Sequence, residues 1–280
     1  MSDGTVGGEL IELADDVLVW VQSPVGRDAP NAGVIVADDG ITLVDALLVP
    51  SQAAALEAQL ARFGLPVRRV VYTSSHIESV GGSSVFWMAA RYGRSQTSAL
   101  LDQPPNIDVL QRLHPGHADE LALLAEAPTR PVSHTVDVGA YLTTSHLVVP
   151  TQGQMLENLV VLVPGAEVLF AGAMCAFGVT PNAFDGDPLA WADALTELDD
   201  LAPTIVPGLG PVGGPDDVVA LQAYLYACAD AEGDPTKIPS GPWDAWTDRH
   251  FDEINVERAA MLAADDHAVP PSMLRLIGLA

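Results

Sequence analysis

Residues 67–82 read VRRVVYTSSHIESVGG, and this stretch decides the fold. Val67 to Tyr72 is short and mostly β-branched, which predicts a buried strand. It runs directly into the polar turn Thr73 to Gly82. Ahead of it, Ser51 to Gly64 has apolar residues at helical spacing and a glycine where a helix ends. Strand, helix, strand and polar turn form an α/β pattern, and such folds place their sites at the carboxyl ends of strands.

The rest of the chain alternates strands and helices in two halves. Asp38-Asp-Gly40 is a hairpin signal between two apolar segments. Further strands are predicted at 17–21, 31–36, 41–45, 147–149, 159–163, 168–171 and 205–206, and further helices at 188–201, 216–231, 252–264 and after 270–271. Residues 102–131 predict a helical insertion around Asp119 to Ala125. Two such halves predict two α/β layers packed face to face.

The composition excludes several classes of partner. Twelve basic and 37 acidic residues among 280 give a formal charge of -25. Nucleic acids and anionic membranes are therefore disfavoured, because both require clustered basic residues. There is no apolar run of about 18 residues, no secretory signal and no disulfide framework. We expect a soluble cytoplasmic protein that acts on a small molecule, with homo-oligomerisation left open.

The order of segments from Leu10 to Gly214 resembles the metallo-β-lactamase superfamily. The segments that carry the resemblance are 31–36, 40–45, 73–82, 164–172 and 205–212. The resemblance implies an α/β (α+β) fold, a four-layer αββα sandwich of the metallo-β-lactamase type, over residues 1–232. Residues 233–280 would then form a C-terminal helical extension that packs on the core or on a partner subunit.

The metal ligands that the resemblance implies are mostly missing. The family binds one or two metals, usually zinc, through a T-H-x-H-x-D-H-x-G-G turn and later His, Asp and His ligands. His76 matches one histidine and Glu78 replaces the aspartate. The other ligand positions hold Ser74, Ser79, Gln154, Ala173 and Leu209. Zinc requires three or four N, S or O donors, so we expect a degenerate member with no metal and no cofactor.

The same turn supplies the candidate catalytic residues, His76, Glu78 and Ser74. A histidine can donate or accept a proton near neutral pH, and a nearby carboxylate can orient it. The candidate substrate-binding residues are Ser75, Ser79, Gln154, Asn158, Cys175 and Leu209. Alternatively, His76 is a relic that bonds to Glu78 and fills the old cavity.

Three further features have simpler interpretations. Cys175 lies in an apolar stretch, which favours a buried core residue over a nucleophile. His114-Pro-Gly-His117 favours a surface loop over a ligand pair, because Pro and Gly force a turn. Trp243 and Trp246 are expected to pack the tail against the core rather than to form a lid over the pocket.

Two functions remain open at this point. One is a metal-independent enzyme that acts on a small organic molecule by acid–base chemistry of the hydrolase, cyclase or lyase type. The alternative is a non-catalytic, degenerate family member that binds a small ligand or a partner protein. The serine, histidine and glutamate of the turn favour the enzyme, whereas Ala173 and Leu209 favour the binder.

Overall fold

Two β-sheets form the centre of the protein, in a computed structural model that describes residues 7–126, 128–198 and 200–279. In each sheet, strands that follow one another along the chain lie side by side. The strands of the first sheet are Gly7–Ala14, Val17–Ser23, Ala32–Ala37, Gly40–Val44, Val67–Val71, Ala90–Gly93 and His134–Thr135 (β1–β7). Those of the second are Ala140–Tyr141, Leu147–Pro150, Leu159–Val163, Val168–Ala176 and Thr204–Leu209 (β8–β12).

Helices cover the outer faces of both sheets. The α-helices are Pro50–Leu60, Ile77–Val80, Ser95–Leu101, Ile107–Leu113, Ala118–Ala122, Pro188–Leu195, Pro215–Asp230, Phe251–Ala263 and Pro271–Leu276 (α1–α9). Leu56 and Leu60 of α1 pack in a core with the outer face of the first sheet. Trp191 of α6 and Leu221 of α7 pack in a core with the outer face of the second. None of the described helices is long and apolar enough to cross a membrane.

A third core, between the sheets, joins the two halves. Valines and other apolar residues from the inner faces fill it, among them Val19, Val44, Val161 and Phe170. The order of layers is therefore helix, sheet, sheet, helix. The four-layer αββα sandwich predicted from the sequence is confirmed.

Parallel pairing brings the site residues to one edge of the sandwich. β4, β5 and β6 run parallel, as do β11 and β12. The carboxyl ends of parallel strands meet at the same edge of a sheet. The turn after β5 therefore lies beside Asp45, which follows β4, and near Leu209, which ends β12.

Some boundaries differ from the sequence prediction. Residues 7–14 form an edge strand, β1, which is largely exposed and so lacks the apolar pattern that marks a buried strand. The helix predicted at 188–201 ends at Leu195. The insertion contains α4 and α5 rather than one helix around 119–125.

The tail, residues 233–279 of the described chain, packs on the second sheet's helices and on the insertion. Trp243 and Trp246 contact the Tyr224 ring of α7, with ring centroids 5.9 and 5.3 Å away. Phe251 and Met273 share a small core with Val109 of α4. The two tryptophans thus fasten the tail to the core.

Candidate functional site

Asp45 and Thr73 connect the ends of β4 and β5 to β11 beneath the candidate site. The Asp45 carboxylate accepts hydrogen bonds from the Thr73 backbone N–H and hydroxyl, both at 2.7 Å. The Thr73 oxygen in turn accepts one from the Ala173 N–H at 3.0 Å. Burial raises the pKa of Asp45 to about 7, although hydrogen bonds from Thr73 and Ser79 oppose the rise. Asp45 also has a positive φ of 66°, a strained conformation of the kind that occurs at functional sites.

His76 lies three residues after Thr73 in the same turn and pairs with Asp185. Its Nε2 is 3.1 Å from Asp185 Oδ2, and its side chain is 22% exposed. Burial lowers the pKa of His76, but Asp185, assisted by Glu78, outweighs it and raises the pKa to about 9. A pKa of about 9 would leave the imidazole charged at neutral pH, which would make it a proton donor rather than a base.

Gln154 contacts the other nitrogen of the imidazole ring. Its Nε2 lies 2.9 Å from Nδ1 of His76, an arrangement suited to the neutral ring. The charged ring needs an acceptor at this point, and a half-turn of the amide would place Oε1 there to accept a hydrogen bond from Nδ1. The amide is steadied by Asn158 Nδ2, which lies 3.3 Å from Oε1. A half-turn would set Gln154 Nε2 against the Asn158 Nδ2 donor, so the amide as it stands suits the neutral ring.

Glu78 forms a separate ionic cluster with residues from elsewhere in the chain. Its Oε1 is 3.0 Å from Arg27 and 3.6 Å from Nε2 of His114. The other nitrogen of His114 lies 2.7 Å from Asp28. Burial raises the pKa of Glu78, but Arg27 above all, with His114 and His76, lowers it to about 2. Glu78 is thus an ionised partner of Arg27, and the carboxylate that orients His76 is Asp185.

A cleft with two chambers opens beside these groups. The inner chamber, about 60 Å³, is lined by residues that include Asp45, Ser79, Gln154, Cys175 and Leu209. The outer chamber, about 270 Å³, is lined by Ser75 and by apolar side chains of α3 and α4. Arg27, His76 and Glu78 line both chambers. The charged residues therefore stand where the chambers meet.

Two of the sequence-predicted residues lie behind the cleft rather than in it. Ser74 is fully buried, and its Oγ accepts a hydrogen bond from the His76 N–H at 3.2 Å. Asn158 is also fully buried, and it donates to the Thr73 carbonyl at 3.2 Å. Both therefore support His76 and Gln154, and Ser74 does not line the cleft with His76 and Glu78.

The serine and cysteine side chains differ in their accessibility. Ser75 donates its hydroxyl to Glu157 at 2.8 Å in the wall of the outer chamber. Ser79 is 3.4 Å from the Thr73 hydroxyl. Cys175 is 1% exposed, and burial raises the pKa of its thiol. A thiol held in its protonated form is a poor nucleophile, which agrees with the interpretation of Cys175 as a core residue.

Solved structures share this architecture. VMB-1 aligns with a TM-score of 0.63 and 19% identity, over 81% of this chain and 100% of that one. The mono-zinc form of the metallo-β-lactamase FIM-1 from Pseudomonas aeruginosa aligns with a TM-score of 0.61 and 17% identity, over 84% and 98%. The protein has the metallo-β-lactamase fold. A metallo-β-lactamase from Hirschia baltica aligns similarly, with a TM-score of 0.60 and 19% identity over 78% and 97%. No protein-family model matches the chain.

The residues at the metal positions of the metallo-β-lactamase fold do not fit zinc. Ala173 and Leu209 line the inner chamber with carbon, and the Ser74 hydroxyl is buried and engaged with backbone. The carboxylate of Glu78 faces the Arg27 guanidinium. Within residues 7–126, 128–198 and 200–279, no group of three or more His, Cys, Asp or Glu is placed to hold a metal ion. A zinc site needs three or four converging donors, and this cleft does not supply them.

Sequence reasoning missed the partners of His76 and Glu78. Arg27 and Asp28 lie in the loop between β2 and β3, and Asp185 lies between β11 and α6, where no local pattern marks them. His114 was interpreted as part of a surface loop, but it is fully buried. Its two carboxylate partners come from distant segments, so the short spacing to His117 was uninformative.

The tail positions the loop that carries Asp185. Asn255 of α8 accepts a hydrogen bond from the Ala183 N–H at 2.9 Å and donates to the Pro181 carbonyl at 2.8 Å. Arg258 donates to the Gly186 carbonyl at 2.8 Å. These bonds hold both ends of the loop, so the tail supports the wall of the cleft from behind.

Proposed function

We propose that the protein is a metal-independent enzyme that acts on a small organic molecule by acid–base chemistry at His76. The observation that carries the proposal is the pairing of His76 with Asp185 at the junction of two chambers. A partly buried imidazolium with a fixed carboxylate partner is a typical general acid. The reaction would take place in the cytoplasm, with no cofactor.

The chemistry follows from the charge state of the ring. At neutral pH the imidazolium can donate a hydrogen bond or a proton to a carbonyl or leaving-group oxygen of the substrate. Asp185 holds Nε2, so Nδ1 is the nitrogen that would face the substrate. The substrate oxygen would displace Gln154 Nε2 from Nδ1 and accept the hydrogen bond that the charged ring donates there. Hydrolysis, ring closure and dehydration all use such a donor, and the fold does not choose among them.

A second candidate function is a non-catalytic binder. One observation favours it: both ring nitrogens of His76 already have partners, Asp185 and Gln154. In this case the pair would hold the cleft open for a ligand and convert nothing. The two candidates differ in whether a change at His76 alters turnover or only affinity and stability.

Turnover of chromogenic esters and lactones separates the two candidates. We expect p-nitrophenyl butyrate or dihydrocoumarin to be hydrolysed, with kcat/KM about 100-fold lower in His76→Gln. His267→Gln is the matched control, because His267 is 72% exposed and pairs with the exposed Asp265. A chelator should leave the rate unchanged. Equal rates in wild type and His76→Gln would refute the acid–base role.

A further inference from the structure

The outer chamber is suited to an apolar group. Its wall is formed by Leu100 and Leu101 of α3, Val109, Leu110 and Leu113 of α4, and Phe184. Burying apolar surface of a ligand against such a wall is favourable. The chamber volume of about 270 Å³ leaves room for a chain of several carbon atoms or an aromatic ring.

The inner chamber has unused hydrogen-bonding capacity. In the described part of the chain, Arg27 Nε, Asn31 Oδ1 and Asn182 Nδ2 are buried atoms without a hydrogen-bond partner, and all three residues line this chamber. Buried polar atoms are almost always paired, so three unpaired ones around one cavity point to a missing partner.

The orientation of the two amides is fixed by their other atoms. Asn31 Nδ2 donates to the carbonyls of Pro207 and Gly210, at 2.9 and 2.7 Å. Asn182 Oδ1 accepts from the Phe184 N–H at 3.3 Å. The free atoms are therefore two donors, on Arg27 and Asn182, and one acceptor, on Asn31. A partner must carry both an acceptor and a donor.

The charges at the junction are already balanced. His76 is paired with Asp185 at 3.1 Å, and Arg27 is paired with Glu78 at 3.0 Å. Asp45 also lines the inner chamber, but both of its carboxylate oxygens accept hydrogen bonds from Thr73. A charged group in the inner chamber would therefore find no free counter-ion among these residues, and an unpaired buried charge is costly. The inner chamber therefore favours an uncharged head group, and its volume of about 60 Å³ limits that group to a few heavy atoms.

We propose that the cleft binds an uncharged molecule with an apolar body in the outer chamber and a small head group, such as a carboxamide, that both donates and accepts hydrogen bonds in the inner chamber. This inference rests on the proposed function in that the head group would lie against His76. It adds the class of substrate: an amide or a hydroxy-carbonyl compound rather than an acid or an amine.

Three ligands with the same body test the inference by isothermal titration at pH 7: octanamide, octanoate and octylamine. We expect octanamide to bind at least about tenfold more tightly than either charged ligand, because a charged head group would be buried without a free counter-ion. Asn182→Asp keeps the acceptor for Phe184 and removes the free donor, and it should weaken octanamide binding about three- to tenfold. Leu110→Gln should also weaken octanamide binding, because Leu110 lines the outer chamber. Asp108 is exposed on the same helix, so Asp108→Asn is the control and should leave the binding unchanged.

The outcomes separate this inference from the proposed function. Equal or tighter binding of octanoate or octylamine would overturn the inference, as would the absence of saturable binding of all three up to about 10 mM. Because the comparison uses the wild-type protein, it holds even where a variant fails to fold. Selective binding of octanamide without any His76-dependent turnover would support the inference and remove the enzyme. His76-dependent turnover with no preference for octanamide would support the proposed function and overturn the inference.

Discussion

Replacing Asp185 with Asn removes the negative charge that lies 3.1 Å from Nε2 of His76. Asp185 is the main cause that raises the pKa of His76 from 6.5 to about 9 against the effect of burial. Without it, burial should return the pKa to 6.5 or below. At pH 7.5 the charged fraction of His76 would then fall from about 97% to about 9%, a roughly tenfold loss of the proton donor. Activity at that pH should fall by about the same factor or more.

The assay is an NMR titration of the histidine ring resonances, with His76→Gln used to assign the signal. Asp265→Asn is the matched control, since it removes a carboxylate beside the exposed His267 and should leave His76 unchanged. A His76 pKa below 7 in the wild type would refute the reasoning. So would a pKa that stays above 8.5 in Asp185→Asn.

Three further predictions concern the supports of the pair. Asn255→Ala removes two hydrogen bonds to the backbone of the Asp185 loop. It should lower the pKa of His76, measured by NMR, and the free energy of unfolding by about 2–3 kcal/mol, measured by urea titration. An unchanged pKa of His76 would contradict the role of Asn255 in positioning Asp185. The pKa of His76 is higher in the folded protein, so its contribution to stability is complete below pH 6.5 and lost as pH rises through about 9. Urea titration across this range should show a free energy of unfolding that declines with pH, and less steeply in His76→Gln. An equal decline in wild type and His76→Gln would contradict this prediction. Arg27→Gln should cost about 3 kcal/mol, because the buried Glu78 loses its nearest counter-ion and keeps only the more distant His114. Arg275→Gln, in a largely exposed pair, should cost under about 1 kcal/mol, and equal losses in urea titration would argue against the Arg27–Glu78 pair.

The fold was predictable because its signals are local. The apolar strand before the turn, the hairpin at Asp38–Gly40 and the helix after Pro50 depend on short-range pattern alone. The exposed edge strand β1 carries no such pattern, which is why it was missed.

The glycines of the turn have a structural explanation that needs no metal. A Cβ on Gly81 would overlap the Leu48 carbonyl, and one on Gly82 would overlap the Ala46 carbonyl. The close approach of the chain at this turn therefore requires glycine whether or not a metal binds. Their presence supports the fold and says nothing about the chemistry of the cleft.

The partners of the turn could not be found from the sequence. Glu78 lies on the same short turn as His76, but Asp185, 109 positions away, pairs with the ring. The counter-ion of Glu78 is Arg27, from the loop between β2 and β3. Long-range charge pairing depends on how the loops meet in the folded protein, and one sequence carries no direct signal of it.

The metal content of the purified protein tests most directly whether this metallo-β-lactamase fold works through a charged histidine pair instead of zinc. The protein would be expressed with added zinc, purified without chelator and measured by elemental mass spectrometry, with ester hydrolysis followed in parallel. We predict less than about 0.1 zinc per chain and activity that depends on His76 and Asp185. One or more zinc ions per chain, lost together with activity on chelation, would contradict it.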